Sequence, residues 1–333
     1  MPGVAVIILN WNGVKLLKEY LPSVVKYTNP ALARVVVVDN ASSDASAEVV
    51  RQEFPQVELI CFDANYGFAG GYNRAIEQIE EDIVVLLNSD VEVTEGWLEP
   101  LAEVLEHHAE VAAVQPKIKS WKNKSEFEYA GACGGFIDRW GFPFCRGRIL
   151  NVVEKDSGQY DDEAEVFWCS GAALCIRREV YLEAGGLDER FFAHMEEIDL
   201  CWRIRNSGKS LKVCPESVVY HLGGGSLPMN HPHKLFLNYR NNLLMLYKNL
   251  ASAEWKRMSW RRKWLDFTAM LVFLLKGETE NVKSVIKAYK EFNRMKTAYR
   301  QPACEHADPC IYQGCIIFQY YFRHIRTFSR LWK

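Results

Sequence analysis

Several features are missing from this 333-residue chain, and each absence excludes a class of protein. The apolar runs at residues 4–9 and 265–275 are far shorter than the ~20 residues that cross a bilayer. Neither a G-x-G-x-x-G fingerprint nor a Gly-Lys-Ser/Thr loop occurs, so the dinucleotide and P-loop solutions to phosphate binding are not used. The ten cysteines include no C-x-x-C pair; Cys304, Cys310 and Cys315, with His306 nearby, therefore lack the spacing of a structural zinc site. Cys61, Cys169, Cys175 and Cys201 sit inside apolar stretches, as expected of reduced, buried thiols. Met1-Pro2-Gly3 leads straight into the first apolar run without a basic segment or a small-residue cleavage site. The expectation is a cytoplasmic protein.

Net charge is also nearly absent, at −2, but it is unevenly spread. Residues 1–233 carry 21 Lys and Arg against 35 Asp and Glu, whereas residues 234–333 carry 19 against 7. An acidic body with a basic C-terminal region implies two jobs, the second involving an anionic surface. The acidic body and the lack of any recognised binding module argue against nucleic acid, leaving a membrane surface as the expected partner.

Apolar residues make up 49% of the chain, enough for a full-sized core. Residues 4–9, 35–38, 57–62 and 83–87 read as strands whose near-continuous apolar character suits a sheet covered on both faces. Helical spacing fills the intervals at 16–27, 45–54 and 72–81, with Ser43-Asp44 as a cap before the second and Glu48 in its first turns. This alternation predicts an α/β fold with a Rossmann-like, mostly parallel sheet and ligands at the strands' carboxyl ends. After residue 112 the Gly-rich and aromatic stretches at 131–147 and 166–176 predict a mixed or antiparallel extension. A helix is expected at 196–207, ended by Gly208, and the rest beyond His233 is helical in pattern. The domain division is 1–230 for the α/β body and 231–333 for the helical, basic region.

Four features fall at expected strand ends. Asp39-Asn40 closes the second strand, where a carboxylate can accept hydrogen bonds from a ribose or base, or simply cap the next helix. The stretch from Asn65 to Asn73, NYGFAGGYN, would let backbone approach a ligand before the next helix, or serve only as a turn. Asp90 follows the fourth strand in LLNSDV; it could hold a divalent cation against a diphosphate or act as a turn residue. Glu196 and Asp199 lie three apart on one helix face with Glu197 about 100° away; acids there can take a proton or answer the helix dipole.

The order VAVIILNWNG, VVVVDNASSD, NYGFAGGYN, LLNSDV, WCSGAALCIRR, GGLDERFF, EEIDLCWR and VYHLGGGS resembles glycosyltransferase family 2 over residues 3–226. It is closest to the bacterial branch of rhamnosyltransferases and galactofuranosyltransferases. The resemblance implies the GT-A fold. It also implies a metal-dependent, inverting transfer of sugar from a nucleotide diphosphate donor to a glycan or lipid-linked hydroxyl in surface polysaccharide synthesis, the donor being dTDP-rhamnose or a UDP-sugar. It assigns Asn10, Asp39, Asn65, Gly67 and Asn73 to the donor side. Where the family has D-x-D the chain has Asn88-Ser89-Asp90. Asp90 becomes the ligand of Mg²⁺ or Mn²⁺, Asn88 a weaker contact, and His221 completes the metal shell. The family's general base is the Asp of a Glu-Asp pair; here Glu197 takes that position, its carboxylate moved outward by ~1.5 Å, with Glu196 the alternate. Trp168, Cys169 and Ser170 resemble the acceptor-side wall, and Asp199 joins that side. The altered D-x-D and the Glu-Glu pair leave one alternative, a degenerate member that binds nucleotide sugar without transfer. A nucleotidyltransferase would show a basic, Gly-rich loop after the first strand, and none is present.

Residues 255–264, WKRMSWRRKW, hold three tryptophans and five basic residues beside the apolar run at 265–275. Trp with Lys and Arg flanking an apolar face suits a helix lying in a membrane interface, or one packing on the catalytic body with a solvated basic face. Peripheral attachment to the inner face of the cytoplasmic membrane is the expectation.

Overall fold

The β-branched runs become strands because each offers apolar side chains to both faces of one sheet, and helices cover both. The computed structural model describes residues 3–223, 232–302 and 308–332. In chain order the body comprises β1 (Val4–Asn10), α1 (Val14–Tyr27), β2 (Ala33–Asp39), α2 (Ser46–Glu53), β3 (Glu58–Cys61), α3 (Gly67–Glu77), β4 (Ile83–Asn88), β5 (Val91–Val93), α4 (Glu99–His107) and β6 (Val111–Ser120). Four short strands follow, β7 (Gly135–Asp138), β8 (Pro143–Cys145), β9 (Arg148–Ile149) and β10 (Val152–Val153), then β11 (Ala164–Glu165), β12 (Ala173–Arg177), α5 (Arg178–Glu183), α6 (Glu196–Asn206) and β13 (Ser210–His221). The C-terminal region adds α7 (Pro232–Asn249), α8 (Ser252–Leu275), α9 (Thr279–Met295), β14 (Ile311–Tyr312), α10 (Ile316–Tyr321) and α11 (Phe328–Leu331).

The main sheet runs β11-β13-β6-β12-β4-β1-β2-β3. Strands β3, β2, β1 and β4 are mutually parallel; β12 is antiparallel to both β4 and β6, and β13 runs parallel to β6. The parallel first half and the mixed extension are thus as the sequence implied. Successive residues of β1 divide between two cores: Val4, Val6 and Ile8 pack with Leu17, Leu21 and Trp97 on one side, Ala5 and Ile7 with Tyr72 and Ile76 on the other. Period-two alternation with both faces buried is what a parallel sheet between helix layers requires.

Two expectations need correction. The glycine-rich stretch is not a loop before a helix: α3 starts at Gly67, so Gly70 and Gly71 lie within it. Gly71 is there because a Cβ would press against Leu9 of β1, allowing helix and strand to approach closely. Cys61 is exposed, because β3 is the sheet's edge strand and is only half covered. Beyond residue 230, Leu243, Leu244, Met245 and Leu246 of α7 belong to the same core as β1 and β12. Among the described cysteines Cys310 is buried and Cys315 half-buried; Cys304 and His306 lie outside the described residues.

A second sheet, β10-β9-β8-β7-β14, closes over the body and ties the C-terminus to it. Gly135 joins the two layers. Its N–H donates to Trp168 O at 3.0 Å and its carbonyl accepts from Phe167 N at 2.8 Å. A Cβ there would fall inside the Trp168 indole. Gly135→Ala should therefore destabilise the protein by about 1–3 kcal/mol through overpacking. The check is a lower urea midpoint at unchanged slope; wild-type stability would mean that the layers do not meet this closely.

Candidate active site

The carboxyl ends of β1, β2, β4, β6 and β13 lie along one edge, and the polar residues predicted from the sequence stand there. Register places Asn10 beside Asp39 and Leu9 beside Asn88. Asn10 Nδ2 donates to Asp39 Oδ1 at 3.3 Å, and Ser42 N donates to Asp39 Oδ2 at 3.0 Å. The Oδ1 of Asn10 is buried without a hydrogen-bond partner. Trp11, the next residue, projects a largely exposed indole from the same loop. Asp44 accepts from Val14 N and Ser46 N, so one carboxylate caps the starts of both α1 and α2.

Asp90 and His221 are brought together by β5, which folds back from β4 to pair with the end of β13, matching Val91 to His221. The bond from Leu222 N to Asp90 O, 3.1 Å, extends that pairing. His221 Nε2 lies 3.1 Å from Asp90 Oδ1 and 3.4 Å from Asn88 Nδ2. On the ring's other side, Glu128 Oε1 is 3.7 Å from Nδ1. Burial works to lower the basicity of His221, but Asp90 and Glu128 more than offset it and push it up to about 10. Asp90 is held below its usual range by His221, although its own burial works against that. Glu128 carries no sequence motif, so sequence reasoning missed it; its backbone bond to Ile118 O places it beside β6.

Once its ring gives up the proton that Asp90 and Glu128 stabilise, a nitrogen of His221 together with the Asp90 carboxylate would suit Mg²⁺ or Mn²⁺, and the charge of a bound cation would favour that proton loss. Among the described residues no group of three or more His, Cys, Asp and Glu forms a cage of protein ligands alone. Gly224 and Gly225, after His221, lie outside the described residues.

Glu196 and Glu197 open α6, preceded by Met195 in a left-handed conformation. Glu196 is buried and Glu197 partly exposed; each has an Oε2 atom that is buried without a partner. Burial pushes Glu196 well above the usual carboxylate range, and the neighbouring Glu197 charge adds to it. Burial raises Glu197 too, partly offset by backbone N–H groups at the helix start. A Cβ on Gly171 would touch Glu197 Cβ at 3.6 Å, and Asn88 N donates to Ala172 O at 3.0 Å. Glu197 and Asn88, the latter beside His221, therefore both adjoin one short segment, residues 171–172.

Other assignments fare differently. Asp199 is fully buried, with Arg203 Nε at 2.9 Å, Lys248 Nζ at 2.8 Å and Asn249 Nδ2 at 2.8 Å. Its oxygens are committed to holding α7, so it does not face an acceptor. Trp168 is also buried, its Nε1 donating to Phe136 O, and Ser170 Oγ donates to Ala130 O at 2.7 Å. Trp168 thereby ties the segment before β12 to β7, and Ser170 ties it to the residues before Gly131. Cys169 is buried beside Cys201. Asn73 uses its whole amide to fix Leu187 and Tyr181. Asn65 Oδ1 accepts from Gly67 N at 2.8 Å and Asn40 Nδ2 at 3.0 Å, setting the start of α3. Phe192, 63% exposed on the loop before the Glu pair, is the surface aromatic nearest to it in sequence.

An open α/β sheet, parallel in its first half and extended by antiparallel strands, is the architecture of the GT-A fold. The solved structures it resembles agree. GalNAc-T7 with UDP, GalNAc and Mn²⁺ matches with a TM-score of 0.57 at 15% identity, over 98% of this chain and 56% of that one. Residues 1–349 of TarS from S. aureus with UDP-GlcNAc match with a TM-score of 0.58 at 17% identity, over 87% and 80%. The mannosyltransferase PcManGT from Pyrobaculum calidifontis, in complex with GDP-Man and Mn²⁺, matches with a TM-score of 0.52 at 17% identity, over 91% and 77%. Residues 2–243 match the family model described as glycosyltransferase like family 2, and the chain belongs to that family. The N-acetylglucosaminyl-diphospho-decaprenol L-rhamnosyltransferase of Mycobacterium tuberculosis is 26% identical over 69% of this chain and 79% of its own length. The low-salt glycan biosynthesis hexosyltransferase Agl10 of Haloferax volcanii is 22% identical over 73% and 75%. The protein is a glycosyltransferase.

Asp199→Ala should leave Arg203 without its buried counter-charge and Lys248 with Asp188 alone, and cost about 3–5 kcal/mol of stability. Chemical unfolding measures this, and nucleotide affinity in the folded fraction should stay at the wild-type value. Unchanged stability with lost transfer would return Asp199 to the acceptor side.

Proposed function

We propose that the protein is an inverting, divalent-cation-dependent transferase. It moves a sugar from a nucleotide diphosphate donor, dTDP-rhamnose or a UDP-sugar, to a hydroxyl of a glycan or lipid-linked acceptor in surface polysaccharide synthesis. The observation that carries this reading is the Glu196–Glu197 pair, each with a buried Oε2 that has no partner, with Glu197 beside Gly171 and so next to the Ala172 carbonyl that bonds Asn88. Asn10 and Asp39 hold the nucleoside side of the donor. Asp90 and a deprotonated His221 would hold the cation, with Asn88 as a weaker contact, and a bound cation would neutralise the departing diphosphate charge. Glu197 takes the proton of the acceptor hydroxyl as that oxygen attacks the anomeric carbon from the face opposite the leaving group. Glu197 is the better placed of the pair because it is the partly exposed member and lies against Gly171. Burial fits it for proton abstraction, because a base lifted toward neutrality accepts a proton more readily than an ordinary carboxylate. One base with no second nucleophile gives inversion, by the logic that separates the two classes of glycosidase.

The acceptor end of the reading rests on α8. Trp260, Trp264, Phe267, Leu271 and Leu275 recur at helical spacing and all are exposed. Arg262 and Asp266 are buried on another face, where Asp266 accepts from Tyr289 of α9 at 2.6 Å. Lys256, Arg257, Arg261 and Lys263 lie along the first half of the same helix. Among the described residues no helix is long and apolar enough to cross a membrane. An exposed apolar stripe edged by cations fits an anionic bilayer surface, where a lipid-linked acceptor would be found.

Calorimetric titration with UDP, dTDP and GDP, each with and without Mn²⁺, tests the donor half. One nucleotide should bind tightly only with metal, and Asp90→Ala should remove that dependence; no binding to any of them would sink the proposal. Glu197→Gln should lower kcat at least about 100-fold with nucleotide affinity retained. The acid limb of wild-type kcat should lie above the ordinary carboxylate range, since the base must be deprotonated and burial favours the protonated form. Turnover retained in Glu197→Gln would move the role to Glu196. For the membrane half, the wild-type chain should co-sediment with vesicles containing phosphatidylglycerol at low salt, and Trp260→Glu with Trp264→Glu should abolish it. Equal sedimentation of both would show that α8 is not the docking face.

A further inference from the structure

Between Phe191 and Glu196 the chain takes an unusual path. Phe192, His194 and Met195 have φ of +69°, +71° and +75°, and none is glycine. Left-handed conformations cost bulky residues about 1–3 kcal/mol each, so a run of them persists only where neighbouring structure holds it. The strain sits directly before Glu196 and Glu197 and sets the direction in which α6 presents them. Its own side chains do not hold it, since α6 has no side-chain N-cap.

The holding group comes from α7, a helix that follows the donor site in the sequence. Asn241 is fully buried, and its Nδ2 lies 2.9 Å from Phe191 O, 2.8 Å from Ala193 O and 2.8 Å from His194 O. Its Oδ1 accepts from Arg240 Nε at 2.9 Å, which fixes the amide so that the N–H groups face the loop. Arg240 Nη2 adds a bond to Phe191 O at 2.8 Å. Two turns on, Lys248 bonds Asp188 at 2.9 Å and Asp199 at 2.8 Å, fixing the loop's far side and the first turn of α6. A neutral amide is suited to the central position. It satisfies carbonyls that the left-handed residues turn to one side, without placing a further charge on the buried Glu pair.

We infer that Asn241, oriented by Arg240, is a positioning residue for transfer. It holds the strained 192–195 loop in the one shape that aims the Glu196–Glu197 carboxylates at the acceptor hydroxyl. The inference rests on the Glu pair supplying the base; donor binding, which needs Asp39, Asp90 and His221, is independent of it.

Asn241→Asp and Asn241→Ala test it beside Arg240→Lys, which keeps the cation but not the fork. A shift of about 1 Å in a reacting group costs on the order of 100-fold in rate. Both Asn241 variants should therefore lose kcat by about that factor, and Arg240→Lys by less. Calorimetric affinity for the nucleotide diphosphate with Mn²⁺ and KM for the donor should stay within about two-fold of wild type. A purely structural role would lower nucleotide binding capacity and kcat together, and that result overturns the inference. So does a folded Asn241→Ala protein with wild-type kcat. Should Asn241→Asp and Asn241→Ala fail to fold, Arg240→Lys decides: an unchanged kcat rejects the clamp, and a lower kcat at constant nucleotide affinity supports it. Glu197→Gln is the internal control. If both Glu197→Gln and Glu196→Gln turn over normally, the base assignment has failed, whatever the Asn241 variants do.

Discussion

Parallel strands cannot be joined by tight turns, so each must be followed by a crossover that returns the chain to the sheet's starting edge. All their carboxyl ends then fall on one side, and the polar residues that end the strands have nowhere else to gather. In this protein that rule alone assembles Asn10, Asp39 and Asn88, each the last residue of its strand. Both sheet faces are given over to apolar cores, leaving the carboxyl edge as the place where buried strands meet polar ligands.

The antiparallel extension adds what the parallel half lacks. Through β12 and β6 the sheet reaches β13, which runs in the same direction as β4 and ends in His221 at the same edge. β5 then folds across to pair with β13, and a carboxylate and an imidazole from distant parts of the chain become neighbours. Burial sharpens their coupling, because opposite charges interact strongly where water is scarce. The same scarcity raises the Glu pair, whose like charges and desolvation both oppose ionisation. Thus one edge holds two acidic groupings with opposite tendencies. One is kept ionised beside a ring that stays protonated until a cation displaces its proton, and in the other burial favours the protonated form.

The C-terminal region is continuous with this chemistry. Although α7 lies past the expected boundary, it packs into the main core and anchors Asp199, Asp188 and the 191–194 carbonyls. The change in charge along the chain marks α8, with its exposed aromatic stripe and basic flank, better than it marks a domain border. Charge along the chain reports the surface, while the apolar residues of α7, whose spacing resembles that of any buried helix, report the core.

By itself the sequence determined the strand–helix alternation, the mixed extension, the family and most of the polar residues at the strand ends. These follow from local apolar periodicity and from short motifs whose residues are adjacent in the chain. Asp39, Asp90, His221, Glu196 and Glu197, all legible in those motifs, stand at the carboxyl edge or beside it. Tertiary structure alone decided how the acids divide their work. Asp199 shares a helix face with Glu196, yet Lys248, Arg203 and Asn249 claim it for the scaffold. Glu128 and Asn241 carry no motif and became visible only when strand pairing and helix packing set them against His221 and the 192–195 loop. The reason is physical: a side chain's role depends on which partners remain within about 3 Å after folding, and those partners are fixed by long-range packing.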